Sequence, residues 1–148
     1  LIKNKKTLSI AESCSGGYLS HLVTSIPGSS KYFSGSVVAY SNNIKINNLN
    51  VNKKNIEKFG AVSKEVVEEM ATNVRKKFNS SIGISTSGIA GPSGGTENKP
   101  VGTVWIGYSD KNKTLSKKLL LTNRRDINIT LSSIGALNMT RLSLEGYS

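Results

Sequence analysis

Two short stretches concentrate the side chains that could act as nucleophiles or proton acceptors. The first, AESCSGG at residues 11–17, places a carboxylate, two hydroxyls and a thiol next to two glycines. The second, AYSNNIK at residues 39–45, contains a tyrosine and a lysine that could transfer protons. Together they offer the nucleophile and the base that hydrolytic chemistry requires.

Cys14 is the most reactive of these side chains on paper, because a thiol at the start of a helix has a lowered pKa. Its imidazole partner would have to be His21, the single histidine of the chain. If a helix begins near Cys14, their spacing places His21 about 10 Å further along the axis, too far for a hydrogen bond. We therefore expect a buried, inert thiol at Cys14 and a surface or core-edge position for His21. A zinc site is not expected either, since soft ligands are too few.

Lysine is the remaining candidate for a base, and Lys45 is the one to consider. Ser41 or Asn42 can cap a helix that places Lys45 in its first turns, where the helix dipole disfavours an ammonium. The dipole contributes about 0.3–1 kcal/mol, whereas lowering a lysine pKa from ~10.4 to ~7 requires ~5 kcal/mol. Burial would have to supply the rest. The alternative is an exposed lysine on a short helix.

A glycine-rich loop, SGIAGPSGG at residues 87–95, follows a predicted strand. It leads into another strand instead of a helix and lacks a GK[ST] ending, so neither nucleotide-binding fingerprint applies. Its backbone N–H groups could still bind an anion. Alternatively, its glycines serve only the geometry of a wide hairpin.

The charge of the chain is strongly basic, with 20 Lys and Arg against 9 acids and a net charge of +11. This permits nucleic acids or phosphorylated small molecules as partners. The cations are scattered without the interleaved aromatic residues that stack on bases, so a compositional bias explains the charge at least as well. No apolar run approaches a membrane span. Nothing resembles an export signal, and we expect a cytoplasmic protein that needs no metal or cofactor.

Hydrophobic periodicity predicts alternating strands and helices. Strands are predicted at 7–11, 32–40, 81–89, 101–109 and 113–122, and helices after 13, around 41–49, from Ser63 and over 126–144. The last helix has an apolar stripe, expected to face the core, of Ile127, Leu131, Ile134, Leu137 and Leu142. Because the early elements alternate and the later strands follow one another, we predict one α/β layered domain over 1–148. Its mixed β-sheet would be covered by helices.

Four blocks of the sequence resemble the C-terminal domain of the competence-damage-inducible protein CinA, including the stand-alone nicotinamide-nucleotide amidohydrolases. The order and spacing of the blocks carry the resemblance, which covers nearly the whole chain. They are AESCSGG, IPGSSKYFSGSVVAYSNNIK, FGAVSKEVVEEMA and TSGIAGPSGGTENKPVGTVWIG. The resemblance implies hydrolysis of the carboxamide of nicotinamide mononucleotide to nicotinate mononucleotide and ammonia.

The resemblance also implies the residues that carry out this reaction. Ser30 would be the nucleophile, with Ser29 as the less favoured alternative, and Tyr40 and Lys45 would complete a Ser-Lys type of amidase. Backbone N–H groups at Ser13–Gly17 or Gly28–Ser30 are candidates for the oxyanion hole. The expected substrate contacts are Ser13, Gly16, Gly17, Ser29, Ser87, Gly88, Gly91 and Arg125, with Arg124 as an alternative to Arg125 for the phosphate.

A different class of function stays open beside the amidohydrolase. The net charge of +11 also allows a non-enzymatic competence or DNA-damage-associated module that binds nucleotides or DNA. On the amidohydrolase interpretation, the partner is a small nucleotide, nucleic acid and membrane are not expected, and a homodimer is an expectation of the family.

Overall fold

Five β-strands form one mixed sheet in the computed structural model, which describes residues 1–147. The strand order is β2-β1-β3-β4-β5, with β1 parallel to both β2 and β3 and the β3–β4 and β4–β5 pairs antiparallel. The mixed sheet predicted from the sequence is therefore confirmed. The strands are β1 (Leu8–Glu12), β2 (Phe33–Val38), β3 (Ile82–Gly88), β4 (Thr103–Ser109) and β5 (Thr114–Leu120).

Five helices cover the sheet on its two faces, as expected for an α/β layered domain. The helices are α1 (Tyr18–Thr24), α2 (Asn42–Leu49), α3 (Lys53–Phe59), α4 (Lys64–Lys77) and α5 (Arg125–Leu144). Helices α1 and α5 enclose one apolar cluster against the sheet, which includes Ile10, Leu19 and Ile84. On the other face α4 packs on the sheet and α2 and α3 pack on α4, around a second cluster with Val66 and Met70.

Two serine caps determine where α2 and α4 begin, as the sequence predicts. The Ser41 side chain accepts from Ile44 N at 3.2 Å, and the Ser63 side chain accepts from Val66 N at 3.4 Å. Each hydroxyl satisfies an N–H that has no partner within its helix. The cap at Ser41 places Lys45 in the first turns of α2.

Two helical details differ from the prediction. Helix α1 begins only at Tyr18, because residues 13–17 form successive turns in which Gly16 and Gly17 have φ of 57° and 101°. The predicted order of strand, turn and helix is confirmed, whereas a helix start near Cys14, considered for the spacing to His21, is too early. Helix α3 was not predicted, and it is a short segment capped by Asn52, with Ile56 as its buried residue.

The orientation of α5 differs from the prediction in a way that concerns its surface. The predicted core stripe included Leu131 and Ile134, but these side chains are 40% and 50% exposed. Small residues are buried instead, because their hydroxyls bond to carbonyls of the preceding turn and their size allows close approach to the sheet. The spacing of apolar residues carries no information on side-chain size, and the size of the side chains determined which face of α5 is buried. The buried positions are Asn128, Ser132, Ser133, Ala136 and Thr140.

The connections between the parallel strands create a switch point at β1. The chain leaves β1 through α1 to β2 on one side, and returns from β2 through α2–α4 to β3 on the other side. In open α/β sheets, ligands bind in the crevice at the carboxyl ends of the strands at such a point. The segments after Glu12, Val38 and Gly88 meet at this edge.

The helices of the described chain offer no candidate for a membrane span, since each is too short or too polar.

Candidate active site

A cleft of about 280 Å³ lies at the carboxyl ends of β1, β2 and β3. Ser13 and Cys14 line it from the segment after β1, and Tyr40 and Lys45 from the segment after β2 and from α2. The β3–β4 loop forms a further wall, and Arg125 from the start of α5 completes it. Within residues 1–147, the cleft has no carboxylate in its lining and has two cations, Lys45 and Arg125. It is suited to a small anionic ligand.

The Lys45 amine is buried at the base of this cleft, with the residue only 1% exposed. Its Nζ lies 3.0 Å from Ser13 Oγ, 2.9 Å from the carbonyl oxygen of Ala39 and 3.2 Å from that of Tyr40. Burial lowers the pKa of Lys45 to about 8, although a small opposing effect comes from Cys14. The exposed lysine considered as an alternative is therefore wrong.

The Lys45 amine donates to all three neighbours, and a neutral amine can keep the same three contacts. An NH₂ group has two hydrogens and one lone pair, so it can donate to the carbonyls of Ala39 and Tyr40 and accept from the Ser13 hydroxyl. Lys45 Nζ and Ser13 Oγ thus lie within hydrogen-bond distance, the separation that a base and a nucleophile would need. From the sequence, Lys45 was expected as the base and Ser13 as a substrate contact.

Ser13 follows β1 directly, on a sharp turn between strand and helix. Its N–H donates to Thr86 O at 3.0 Å, which extends the β1–β3 pairing by one residue. Cys14 is next to it and 6% exposed, and burial raises the pKa of the thiol to about 11. The expectation of a buried thiol is confirmed, and His21 lies exposed on α1.

Glu12 holds the turn that carries Ser13. Its carboxylate is fully buried and accepts five hydrogen bonds. The donors to Oε2 are Ser15 Oγ, Gly17 N and Leu19 N, at 2.7, 3.0 and 3.0 Å. The donors to Oε1 are Ser20 N and Ser20 Oγ, at 2.8 and 2.5 Å. A buried carboxylate is stable here because backbone N–H groups at the start of α1 surround it.

Ser15 links this turn to the neighbouring strand. Its hydroxyl donates to Glu12 and lies 2.7 Å from Thr86 Oγ1 of β3. Ser15 and Thr86 are both buried. The segment that presents Ser13 is therefore fixed from two sides, by the helix that follows it and by the adjacent strand.

Arg125 joins two walls of the cleft. Its Nη1 donates to Gly91 O at 2.8 Å, and its Nη2 donates to the hydroxyl oxygen of Tyr40 at 2.9 Å. Tyr40 is 58% exposed, so its ring lies at the mouth of the cleft. Arg124, the alternative, instead pairs with Asp126 at 2.9 Å and does not line the cleft. Of the two arginines, Arg125 is the one that lines the cleft.

The glycine-rich loop is a wide hairpin between the antiparallel strands β3 and β4, and its first half lines the cleft. Ser87, Gly88 and Gly91, all expected substrate contacts, are in this wall. The Ser87 hydroxyl donates to Ala61 O at 2.8 Å. At its far end the loop is fixed by Lys99, whose Nζ donates to Phe59 O at 2.6 Å.

Ser29 and Ser30 are not brought together with Lys45. They lie in a 3-10 turn before β2, at the amino edge of the parallel strands, where Tyr32 O accepts from Leu8 N. Strand β2 alone separates this turn from the cleft by about 16 Å, at ~3.3 Å per residue. Ser30 Oγ, Tyr40 OH and Lys45 Nζ therefore do not converge within one chain.

Gly16 and Gly17 also lie outside the cleft lining. Both have positive φ, which a residue with a side chain rarely adopts, so they shape the turn between Ser13 and α1. Gly17 N donates to Glu12, which adds to the anchoring of that turn.

Sequence reasoning missed the contributions of Glu12 and Lys99. The sequence contains an indication of the role of Glu12, since a charged residue at the end of a buried strand needs several hydrogen-bond donors around it. Lys99 gave none, because its partner is a backbone carbonyl that is distant in the sequence.

Comparisons with known proteins agree with this architecture. The family model of the CinA C-terminal domain matches residues 1–144. A CinA-like protein of Cytophaga hutchinsonii is 55% identical over 145 residues, which are 98% of this chain and 35% of that protein. A CinA-like protein of Amoebophilus asiaticus is 50% identical over 147 residues, 99% of this chain and 35% of that protein. The chain thus spans about a third of the length of these relatives.

Solved structures of the same superfamily have the same fold. The competence damage-inducible protein A of Klebsiella pneumoniae superposes with a TM-score of 0.95 at 28% identity, covering 100% of this chain and 92% of that chain. The competence/damage inducible protein CihA of Agrobacterium tumefaciens gives 0.89 at 29% identity, covering 95% and 87%. Both the sequence and the fold therefore place this chain in the CinA C-terminal domain family.

Proposed function

We propose that the chain hydrolyses the carboxamide of nicotinamide mononucleotide, with Ser13 as nucleophile and Lys45 as general base. The observation that carries the proposal is the 3.0 Å separation between Lys45 Nζ and Ser13 Oγ. A lowered pKa near 8 leaves roughly one tenth of Lys45 neutral at pH 7 and so able to accept a proton. The substrate follows from the family resemblance, and the cations and size of the cleft are compatible with it.

The reaction has two halves. In the first, Ser13 Oγ attacks the amide carbon while its proton moves to Lys45 Nζ. The tetrahedral intermediate then collapses, and the proton on Lys45 passes to the leaving nitrogen, which departs as ammonia. In the second half, Lys45 takes a proton from water, the hydroxide attacks the ester, and the proton returns to Ser13 as nicotinate mononucleotide leaves.

Charge develops on the carbonyl oxygen during both halves. The N–H groups of Cys14 and Ser15 follow Ser13 on the turn that leads to a helix, as in other sites where a nucleophile stands between a strand and a helix. We assign the oxyanion hole to this turn. The other candidate, Gly28–Ser30, lies at the opposite edge of the sheet. Arg125 is assigned to the substrate phosphate, which requires it to leave Tyr40 or Gly91.

The experiment is to measure ammonia and nicotinate mononucleotide formed by the wild type, Ser13→Ala, Lys45→Ala and Ser30→Ala. We expect Ser13→Ala and Lys45→Ala each to lower kcat by 1,000-fold or more, on the order seen for nucleophiles and bases. Ser30→Ala is the matched control and should keep activity within about threefold of the wild type.

Three results would count against the proposal in different ways. Full activity in Ser13→Ala with loss in Ser30→Ala would return the nucleophile to Ser30 and imply an arrangement that one chain does not provide. No deamidation by the pure wild type would contradict the activity itself. Tight DNA binding that weakens steeply with salt, together with no deamidation, would favour the binding module instead.

A further inference from the structure

Asn128 is a buried polar side chain in the interior of α5, with the residue only 1% exposed. Asparagine is a poor helix former, because its amide competes with the backbone for hydrogen bonds. A buried amide also costs free energy unless each of its polar groups is paired. The contacts of Asn128 show what offsets these two costs.

The amide of Asn128 makes four hydrogen bonds, the full number that an amide can make. Its Nδ2 donates to the carbonyl oxygens of Ala90 and Thr122, both at 2.9 Å. Its Oδ1 accepts from the Thr122 N–H and from the Thr122 hydroxyl, again both at 2.9 Å. Exchanging the amide nitrogen and oxygen would set donor against donor and carbonyl against carbonyl. The amide therefore has one orientation.

These bonds join three segments of the chain. Thr122 belongs to the connection between β5 and α5, and Ala90 belongs to the β3–β4 loop. Asn128 connects both of them to the first turns of α5. In the described chain this helix has no side-chain cap at Arg124, its N-cap residue, so the bonds of Asn128 contribute to fixing the start of the helix.

Asn128 and Arg125 bind consecutive carbonyls of the loop. Asn128 Nδ2 donates to Ala90 O, and Arg125 Nη1 donates to Gly91 O at 2.8 Å. Arg125 precedes Asn128 by three residues, so the two side chains lie on the same face of α5. Three of these four residues line the cleft, and Asn128 is the exception. The start of α5 and the cleft wall are thus linked twice, once in the cleft and once in the core next to it.

The two links differ in what substrate binding would do to them. In the proposed function, Arg125 binds the substrate phosphate and has to leave Tyr40 or Gly91. The bond from Asn128 to Ala90 is buried and needs no such change. It keeps the loop and the start of α5 at a fixed separation while the guanidinium turns to the ligand. A site that is preorganised in this way binds its ligand with a smaller loss of conformational entropy.

We propose that Asn128 is a positioning residue that fixes Arg125 relative to the β3–β4 loop, and so makes the cleft selective for a phosphorylated substrate. This role rests on the proposed function, in which Arg125 contacts the phosphate. Asn128 acts through the arginine and the loop, since it does not itself line the cleft.

The first experiment compares nicotinamide mononucleotide with the corresponding nucleoside, which lacks the phosphate. Asn128→Leu has a similar size but cannot make the four bonds. We expect it to raise KM for the mononucleotide about tenfold while kcat stays within about threefold. The kcat/KM for the nucleoside should stay within about twofold, because no phosphate has to be positioned. Thr140→Val is the matched control: it removes a buried hydroxyl of α5 that bonds to Ala136 O of the same helix, and should leave both substrates unaffected.

A double-mutant cycle tests whether Asn128 acts through Arg125. Arg125→Ala should itself raise KM for the mononucleotide, and by more than Asn128→Leu does. The double variant should be no worse than Arg125→Ala, because no guanidinium is left to position. A residue that acted by general destabilisation would instead multiply the two effects.

Asn128→Asp isolates the bond to the loop. A carboxylate still accepts from the Thr122 N–H and hydroxyl, but it cannot donate to the Ala90 carbonyl. We expect KM for the mononucleotide to rise in this variant as well, with kcat again little changed. Circular dichroism of each variant distinguishes a lost fold from a lost position. Asn128→Asp provides the same test if Asn128→Leu does not fold.

Binding is measured apart from turnover, by calorimetric titration of the mononucleotide into Ser13→Ala with and without Asn128→Leu. We expect Asn128→Leu to raise the Kd about tenfold. This result without turnover by the wild type would keep the positioning role and reject the hydrolysis. Turnover by the wild type with an unchanged KM in both Asn128 variants would overturn the positioning role alone.

Two further results would overturn the positioning role. One is an equal loss of kcat/KM for the mononucleotide and for the nucleoside in Asn128→Leu. The other is a double variant in which the effects of Asn128→Leu and Arg125→Ala multiply. A wild type that neither binds nor hydrolyses the mononucleotide would overturn both the positioning role and the proposed function.

Discussion

At the scale of single residues, the pair Ser13 and Lys45 depends on a lysine that is buried without a carboxylate among the cleft residues of the described chain. A neighbouring carboxylate would stabilise the ammonium and raise the pKa of Lys45. Two backbone carbonyls take its place as hydrogen-bond acceptors, and they carry no full charge. The pKa of Lys45 is therefore low enough for roughly one tenth of the side chain to be neutral at pH 7 and able to accept a proton.

The pH dependence of kcat/KM should follow the protonation of Lys45. Activity requires the neutral amine, and the pKa of Lys45 is lowered to about 8. We expect kcat/KM for nicotinamide mononucleotide to rise about tenfold per pH unit below 8 and to level off above it. Lys45→Arg should be inactive throughout, because the guanidinium stays charged. A flat profile that extends well below pH 8 would contradict Lys45 as the base.

The polar residues Ser13, Tyr40, Lys45 and Arg125 of the cleft were predictable from the sequence, but how they are paired was not. Lys45, Tyr40, Ser13 and Arg125 were all expected to take part, and all four line one cleft. Ser30 was expected as well, but lies at the other edge of the sheet. The sequence distance between Ser30 and Lys45 is short, yet β2 lies between them and carries the chain across the sheet. The strand predicted at 32–40 already implied this separation, which the motif resemblance does not take into account.

At the scale of elements, the turn between β1 and α1 depends on Glu12. Glu12→Gln should lower kcat for deamidation by tenfold or more with little change in KM, because an amide NH₂ cannot accept hydrogen bonds from the N–H groups at the start of α1. The wild-type nucleophile would then be less well positioned. Ser20→Ala removes a single side-chain donor and should have a smaller effect.

Amide hydrogen exchange separates this positioning role from general unfolding. N–H groups in the first turn of a helix usually lack partners and exchange fast. Leu19 and Ser20 should exchange slowly in the wild type and faster in Glu12→Gln, while amides in β3 stay protected. An unchanged kcat in Glu12→Gln despite faster exchange would show that the turn does not position Ser13.

The β3–β4 loop should affect binding more than chemistry. Lys99→Ala removes the hydrogen bond to Phe59 O that holds the loop in place. The loop of the variant would then have to become ordered when the substrate binds, which costs binding free energy. We expect KM to rise about three- to tenfold while kcat stays within twofold. Lys118→Ala changes an exposed lysine on β5 and is the matched control. A fall in kcat with constant KM would assign Lys99 a different role.

The elements themselves were largely predictable, for reasons that differ between them. Strands β1–β5 followed from β-branched and apolar runs, and α4 from its regular stripe and the cap at Ser63. Helix α3 was not predicted, because a short polar segment with one buried residue shows no apolar periodicity. In α5 the existence of the helix was predicted correctly but its buried face was not, since small polar residues replaced the apolar stripe.

At the scale of the whole molecule, a buried lysine should cost stability. Its pKa falls from 10.5 in the unfolded chain to about 8 in the fold, so the unfolded state binds the proton more tightly. The cost is roughly 3 kcal/mol below pH 8 and is recovered as pH rises towards 10.5.

Lys45→Met should therefore be inactive yet more stable than the wild type at pH 7. The gain is at most about 3 kcal/mol, reduced by the hydrogen bonds that are lost. Urea unfolding at neutral pH and near pH 10 checks the sign, since the advantage of the variant should shrink as pH rises. A difference between the two proteins that does not vary with pH would mean that Lys45 is not strained by burial.

The direction of the parallel strands also decides how this domain can be joined to others. Leu1 and Glu145 line one groove together with Leu8, at the edge of the sheet where β1 begins, whereas the cleft lies where β1 ends. A polypeptide attached before Leu1 or after Glu145 leaves from the side of the sheet opposite the cleft. The unit can therefore be fused at both ends, or permuted by linking its termini, without covering the mouth of the cleft.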